Sequence, residues 1–148
     1  MTNNWFECKV SYQKTLENGL QKKVSENYLV DALSFAEAEE RFIEEITPFM
    51  QGEFEVSGIR QMNFSEIFCN AAESADRWFR CKVAFITFDE RSGMEKKTNC
   101  YMMVQAGDLR DAVKELDLQM KGTLSDYRIV EVKETNIMDV YPYKAKEA

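Results

Sequence analysis

The sequence predicts an α+β protein: a tandem duplication of a β-β-α-β(-β) unit, with mainly antiparallel sheet and one helix per repeat packed on one face. Three observations lead there. Trp5-Phe6-Glu7-Cys8-Lys9-Val10 returns 73 positions later as Trp78-Phe79-Arg80-Cys81-Lys82-Val83. Gly19 with Lys22-Lys23 returns as Gly93 with Lys96-Lys97, and Phe54-x-Val56-x-x-Ile59 as Tyr127-x-Ile129-x-x-Val132. Each copy also carries period-two stretches around a single stretch of helical period. The repeats are placed at residues 4–69 and 77–143, with 70–76 as a small polar linker and 144–148 as a solvated tail.

The elements follow in order. Phe6, Cys8, Val10 and Tyr12 alternate with Glu7, Lys9, Ser11 and Gln13, the pattern of a half-buried strand. Asn18-Gly19 is a dipeptide favoured in tight hairpins. A second strand carries Val24, Tyr28 and Val30 on one side, with weaker alternation at Glu26. Ser34-Phe35-Ala36-Glu37 reads as a capping box, the Ser oxygen accepting from an amide three residues on while the Glu reaches back. Phe35, Ala38, Phe42 and Ile46 then form an apolar stripe at helical spacing. Pro48 stops the helix, Gly52 suits the exit, Phe54 to Ile59 form a third strand and Phe64 to Cys69 a short fourth.

The second copy repeats this plan. Its hairpin turn is Glu90-Arg91-Ser92-Gly93, and its helix has Asp108 as N-cap. Leu109, Ala112, Val113, Leu116 and Met120 are the stripe, and Gly122 the exit. Whether the second and third strands of a repeat pair in parallel or lie on either side of the first is open at this stage.

Composition removes several chemistries. A net charge of −7 and a pI near 4.8 weigh against broad binding of a nucleic-acid backbone, which needs clustered cations. The chain holds no histidine, which removes Ser-His-Asp and Cys-His catalysis and histidine-ligated metals. Its four cysteines form no C-x-x-C pair, so no metal site is expected, and no catalytic residue or cofactor is assigned. Cys8 and Cys81 fall at matching core positions, and all four read as reduced thiols of a cytoplasmic protein. No apolar leader or membrane-length apolar run occurs, so a soluble protein without a signal peptide is expected.

Two residue sets are candidates for function. Trp5 and Trp78 stand at matching strand starts, with Lys9 and Lys82 further along the same strands. These four would line a cleft between repeats, the tryptophans for an aromatic or sugar-like ligand and the lysines, with Lys22-Lys23 and Lys96-Lys97 after the hairpin turns, for an anionic group. The plainer reading makes the tryptophans end-caps of each core and the lysines solvated guards of strand edges. The second set is Ile86, Phe88, Tyr101 and Met103, expected at an interface. On the far face of the second repeat the first strand reads Arg80, Lys82, Ala84, Ile86, Phe88, and its neighbour Tyr101-Met102-Met103-Val104 is apolar on both sides. A strand apolar on both faces calls for cover on both. The acidic run Glu37, Glu39, Glu40, Glu44 and Glu45 spreads around the helix and reads as a solvated face.

The segments Trp5-Phe6-x-Cys8-Lys9-Val10, Tyr28-Leu29-Val30-Asp31-Ala32 and Ile137-Met138-Asp139-Val140-Tyr141-Pro142-Tyr143 resemble a family of small bacterial proteins classed as a domain of unknown function, over nearly the whole chain. The resemblance implies a soluble intracellular protein and brings no activity, cofactor or catalytic residue. The sequence therefore reads as a noncatalytic binding or assembly module acting through the second-repeat sheet, with a homodimer mate or another protein as partner. The alternative is a small-molecule binder or enzyme working in the cleft between repeats.

Overall fold

In a computed structural model that describes residues 4–142, the alternation that opens the chain becomes strand β1, Trp5–Thr15, and its mate becomes β2, Gln21–Asp31. The two pair antiparallel from Trp5 opposite Asp31 to Thr15 opposite Gln21. The loop between them spans five residues, not the two of a tight hairpin. Only Gly19 takes a positive φ (82°), and Asn18 accepts from the Leu20 amide at 3.1 Å. The two-residue type I′ turn that Asn-Gly favours needs positive φ at both central residues, and Asn18 does not take it.

Helix α1, Phe35–Ile46, follows. Ser34 accepts from the Glu37 amide at 3.1 Å, and the Glu37 carboxylate accepts from the Leu33 amide at 3.2 Å. The capping box is thus made, with its return arm reaching one residue beyond Ser34. Ala38, Phe42 and Ile46 bury the stripe against Phe6, Cys8, Val10, Tyr28 and Val30. Phe35 stays half exposed, edge-on to Phe6 with ring centroids 5.0 Å apart. Arg41 donates to the backbone oxygens of Asp31 and Pro142, tying the helix to the ends of two strands. After a 3-10 turn at Thr47–Phe49, strand β3, Phe54–Met62, returns antiparallel to β1. It lies on the side of β1 away from β2, which decides the pairing that sequence left open. One residue of β3, Ser57, is bulged out between Val56 opposite Val10 and Gly58 opposite Lys9.

The next strands are β4, Glu66–Phe68, then β5, Arg77–Phe88, and β6, Glu95–Ala106. Helix α2, Leu109–Gln119, is capped by Asp108, which accepts from the Asp111 amide at 2.8 Å. Ala112, Leu116 and Met120 are buried and Gly122 (φ 88°) turns the chain out of the helix, while Leu109 is half exposed. Strand β7, Asp126–Glu134, pairs antiparallel with β5 and carries its own bulge at Val130, where Lys82 faces Glu131 and Val83 faces Ile129. Strand β8, Ile137–Tyr141, closes the described chain.

The short strands do not complete the sheets of their own sequence halves. The sheet orders are β3-β1-β2-β8 and β4-β6-β5-β7. Strand β8, from the end of the chain, runs parallel to β2, and β4, from the first half, runs parallel to β6. One compact unit accordingly comprises the chain up to Asn63 with the stretch from Asn136, and the other is Phe64–Thr135. In the first unit, β8 brings Tyr141 against Tyr28, the rings stacked at 5.8 Å.

The small polar segment 70–76 is held within the second unit. The Asn70 amide donates to the Gln105 side chain at 2.9 Å, and Ala75 is buried. A Cβ added at Gly107 would lie 2.5 Å from the Ser74 backbone oxygen, so only glycine fits that approach. The tail 144–148 lies outside the described residues.

Candidate functional site

Each sheet has one face packed on its helix and one face turned away from it, here called outer. On β1 the pleat puts Phe6, Cys8 and Val10 under α1 and Trp5, Glu7, Lys9 and Ser11 on the outer face. On β5 the outer row is Trp78, Arg80, Lys82, Ala84, Ile86 and Phe88. Trp5 and Trp78 are buried, but the pleat takes them to the outer face and not to the end of the helix-side core.

The outer face of the second sheet carries a hollow of about 430 Å³. Its floor is Ala84, flanked by Ile86 and the bulged Val130, and its rim holds Lys82, Lys97, Asn99 and Arg128. Register explains the grouping: Asn99 and Arg128 stand on either side of Ala84, and Lys97 stands opposite Ile86. A methyl group at the centre of the row leaves room that longer neighbours enclose. Lysine and arginine stems line such a wall with methylenes while their heads remain in water. Glu131, which stands opposite Lys82 across the β5–β7 pair, brings its carboxylate to the Arg80 guanidinium at 3.9 Å.

Of the predicted ligand set, Lys82 lines this hollow, and Trp78 lies two side-chain rows away on the same strand. Trp78 is pinned by its backbone oxygen, which accepts from both the amide and the hydroxyl of Thr135 at 2.9 Å. Lys9 is exposed on the first sheet, with Trp5 two rows from it. Of the predicted interface set, Ile86 enters the hollow beside Lys82, and Phe88 is 66% exposed at the strand end. Tyr101 is partly exposed beneath the Arg80 guanidinium, 5.5 Å from the ring centroid. Met103 is only 1% exposed and offers no surface.

In the middle of the first sheet's outer face, three serine hydroxyls bond to one another. Ser11 is 6% exposed, with its oxygen 3.0 Å from those of both Ser25 and Ser57. The Ser57 hydroxyl also reaches the Lys9 backbone oxygen at 3.4 Å. A buried hydroxyl demands such partners.

Two features were missed by sequence reasoning. Arg128, Asn99 and Val130 join the hollow through strand register and a bulge, and no local pattern marks either. The other is Glu26, whose break in alternation was the visible signal. Its carboxylate lies on the helix side of the sheet, accepting from the Tyr28 hydroxyl at 3.4 Å and hydrogen-bonding the Tyr12 phenol. Burial first, then Glu26, raises both phenols above their ordinary range. Tyr141 is pushed up to about 12, by burial and then by Asp139, Glu45 and Glu26. No disulfide joins any of the four cysteines. Burial lifts Cys81 to about 11 and, aided by Glu7 and Glu39, Cys8 to about 12, so neither is a thiolate nucleophile near neutrality.

Among the described residues no group of three or more carboxylates or thiols is placed to hold a metal, and no helix is long and apolar enough to cross a membrane. What is assembled is an α+β scaffold presenting a cation-rimmed apolar surface. The chain belongs to the family of the domain of unknown function DUF4494, which matches residues 4–143. No curated protein matches it.

Proposed function

We propose that the protein is a noncatalytic binding module, built by duplication of one β-β-α-β unit, that captures an acidic peptide segment bearing apolar side chains. The segment lies on the outer face of the second sheet. The observation that carries this reading is the ring of Lys82, Lys97 and Arg128 around the apolar floor of Ala84, Ile86 and Val130. In a chain of net charge −7, three cations without an acid among the lining residues favour a negatively charged occupant. The apolar floor and the exposed Phe88 favour one that brings hydrophobic anchors as well. The duplication is supported by matched caps at Ser34 and Asp108 and matched bulges at Ser57 and Val130. Four cysteines without a disulfide suit a bacterial cytoplasm.

Fluorescence anisotropy with labelled peptides tests the reading. A peptide alternating Asp or Glu with Leu and Phe should bind, more weakly as salt rises, and its Lys-for-Glu counterpart should not. Lys97→Glu with Arg128→Glu should weaken binding about tenfold or more, two rim charges being reversed at once. Ile86→Glu should abolish it with the fold intact. Binding that ignores these changes overturns the proposal. So does a dimer, seen by sedimentation, that Ile86→Glu dissociates, because a second copy then occupies the face.

A further inference from the structure

We propose a second site, on the first unit, for a neutral saccharide. It is a hollow of about 690 Å³ between the tip of the β1–β2 hairpin and the chain that follows α1. That volume is in the range of small-ligand pockets. The lining comes from Tyr12 to Thr15 and Gln21 on the hairpin, and from Phe49 to Glu53 on the exit.

Three features of this lining specify the ligand. Its charges are Lys14 and Glu53, which cancel, so a charged ligand gains nothing from entering. Gln13, Gln21 and Gln51 present amides, each able to donate and accept, the capacity that vicinal hydroxyls need. Phe49 is 72% exposed, an aromatic ring held out in water by a 3-10 turn that Pro48 stiffens. Tyr12 adds a second ring, its phenol tied down by Glu26. The C–H face of a pyranose is apolar and faintly positive, and it complements the negative face of an aromatic ring. Tyr12, placed in advance by its hydrogen bond, loses little freedom on binding. A Cβ added at Gly52 would meet nothing within 4 Å, so the backbone wall there is open to a ligand. The matching positions of the second unit differ: Phe85 stands where Tyr12 does and Cys100 where Glu26 does, both against its helix-side core.

The test is a titration of isotope-labelled full-length protein followed by amide NMR. The probes are maltotriose, cellotriose, xylotriose, mannotriose and chitotriose, with a sialylated trisaccharide and a neutral Gly-Pro-Phe peptide as comparisons. At least one neutral sugar should give saturable shifts at the side-chain amides of Gln13, Gln21 and Gln51 and at the Gly52 backbone. Phe49→Ala should weaken that sugar about tenfold, and Phe49→Trp should preserve it. Because Phe49 is exposed, neither change should move the melting temperature. The site is not a saccharide site if no neutral sugar saturates, if Phe49→Ala binds as well as the parent, or if the sialylated sugar binds more tightly. Shifts from the peptide alone would also overturn the proposal and hand the hollow to a peptide.

Discussion

Laid row against row, the outer faces of the two sheets differ at the residues that decide what each can do. Ser11, Ser25 and Ser57 on the first sheet answer to Ala84, Asn99 and Val130 on the second. Glu55 answers to Arg128 and Gln13 to Ile86, while Lys9 and Lys23 answer to Lys82 and Lys97. The first face satisfies its serine hydroxyls internally, leaving a hollow of about 270 Å³ beside Ser11. The second keeps its cations, loses the hydroxyls, and opens a hollow of about 430 Å³. One scaffold thus carries a self-satisfied face and an available one, and a handful of side chains makes the difference. A sheet's outer face is free to diverge in this way because the helix-side core, where volume must be conserved, does not depend on it.

The units also differ in how the chain builds them, and this gives the largest effect. The second unit is one continuous stretch, whereas the first needs β8 from the far end of the sequence. Deleting residues 136 onward removes Ile137, Val140 and Tyr141 from the edge of β2. Hydrogen exchange of this truncated protein should show β1–β3 amides losing most protection while β5–β7 keep theirs. Equal loss in both would break the contrast.

Next in size is a comparison of two glycines. Gly107→Ala drives a Cβ to within 2.5 Å of the Ser74 oxygen, which is backbone and must shift, at about 1–3 kcal/mol. Gly58, beside the bulge of β3, has nothing within 4 Å of its Cβ position, so Gly58→Ala should be close to neutral. Urea denaturation of the two variants measures the difference.

A smaller effect sharpens the contrast between the faces. Ser11→Ala removes the shared partner of Ser25 and Ser57, and should cost about 1 kcal/mol. Adding Gln13→Ile and Glu55→Arg would give the first face the chemistry of the second. Calorimetry should then show a second binding event for the acidic peptide.

The smallest effect lies in alkali. Cys8 and Cys81 titrate above their ordinary value of 9.0, so folding favours the protonated thiols. That stability is complete below pH 9 and falls as pH rises, through about 11 for Cys81 and about 12 for Cys8. Tyr12, Tyr28 and Tyr141, raised from 10.0, add to the same loss in the first unit. Against them the second has Tyr127, also raised. Exchange rates followed above pH 10 should therefore show the first unit opening first.

What was legible in the sequence is what neighbouring residues determine. Alternation at Phe6, Cys8 and Val10, the stripe Ala38, Phe42 and Ile46, and the caps Ser34 and Asp108 are all local patterns, and each became the expected element. The exception at Glu26 was visible as a break in that alternation, but its phenol partners, brought from β1 and from along its own strand, were not. The cationic hollow was half legible: Lys82, Lys97 and Ile86 stood out in the sequence, while Asn99, Arg128 and Val130 joined them through register and a bulge.

By itself, then, the sequence determined the α+β class, the two helices, the long strands and the two burial patterns of each sheet. Those follow from side-chain periodicity and capping over a few residues. Only the tertiary structure decided the strand order, the crossing of β4 and β8 to the sheets of the other halves, and the bulges at Ser57 and Val130. Each of these is a choice of backbone hydrogen-bond partner between distant segments. Any extended strand can in principle satisfy any sheet edge, so the choice rests on packing and chain connectivity and leaves no local mark. The hollow on the second sheet inherits that origin, since its rim is assembled by register and one bulged residue.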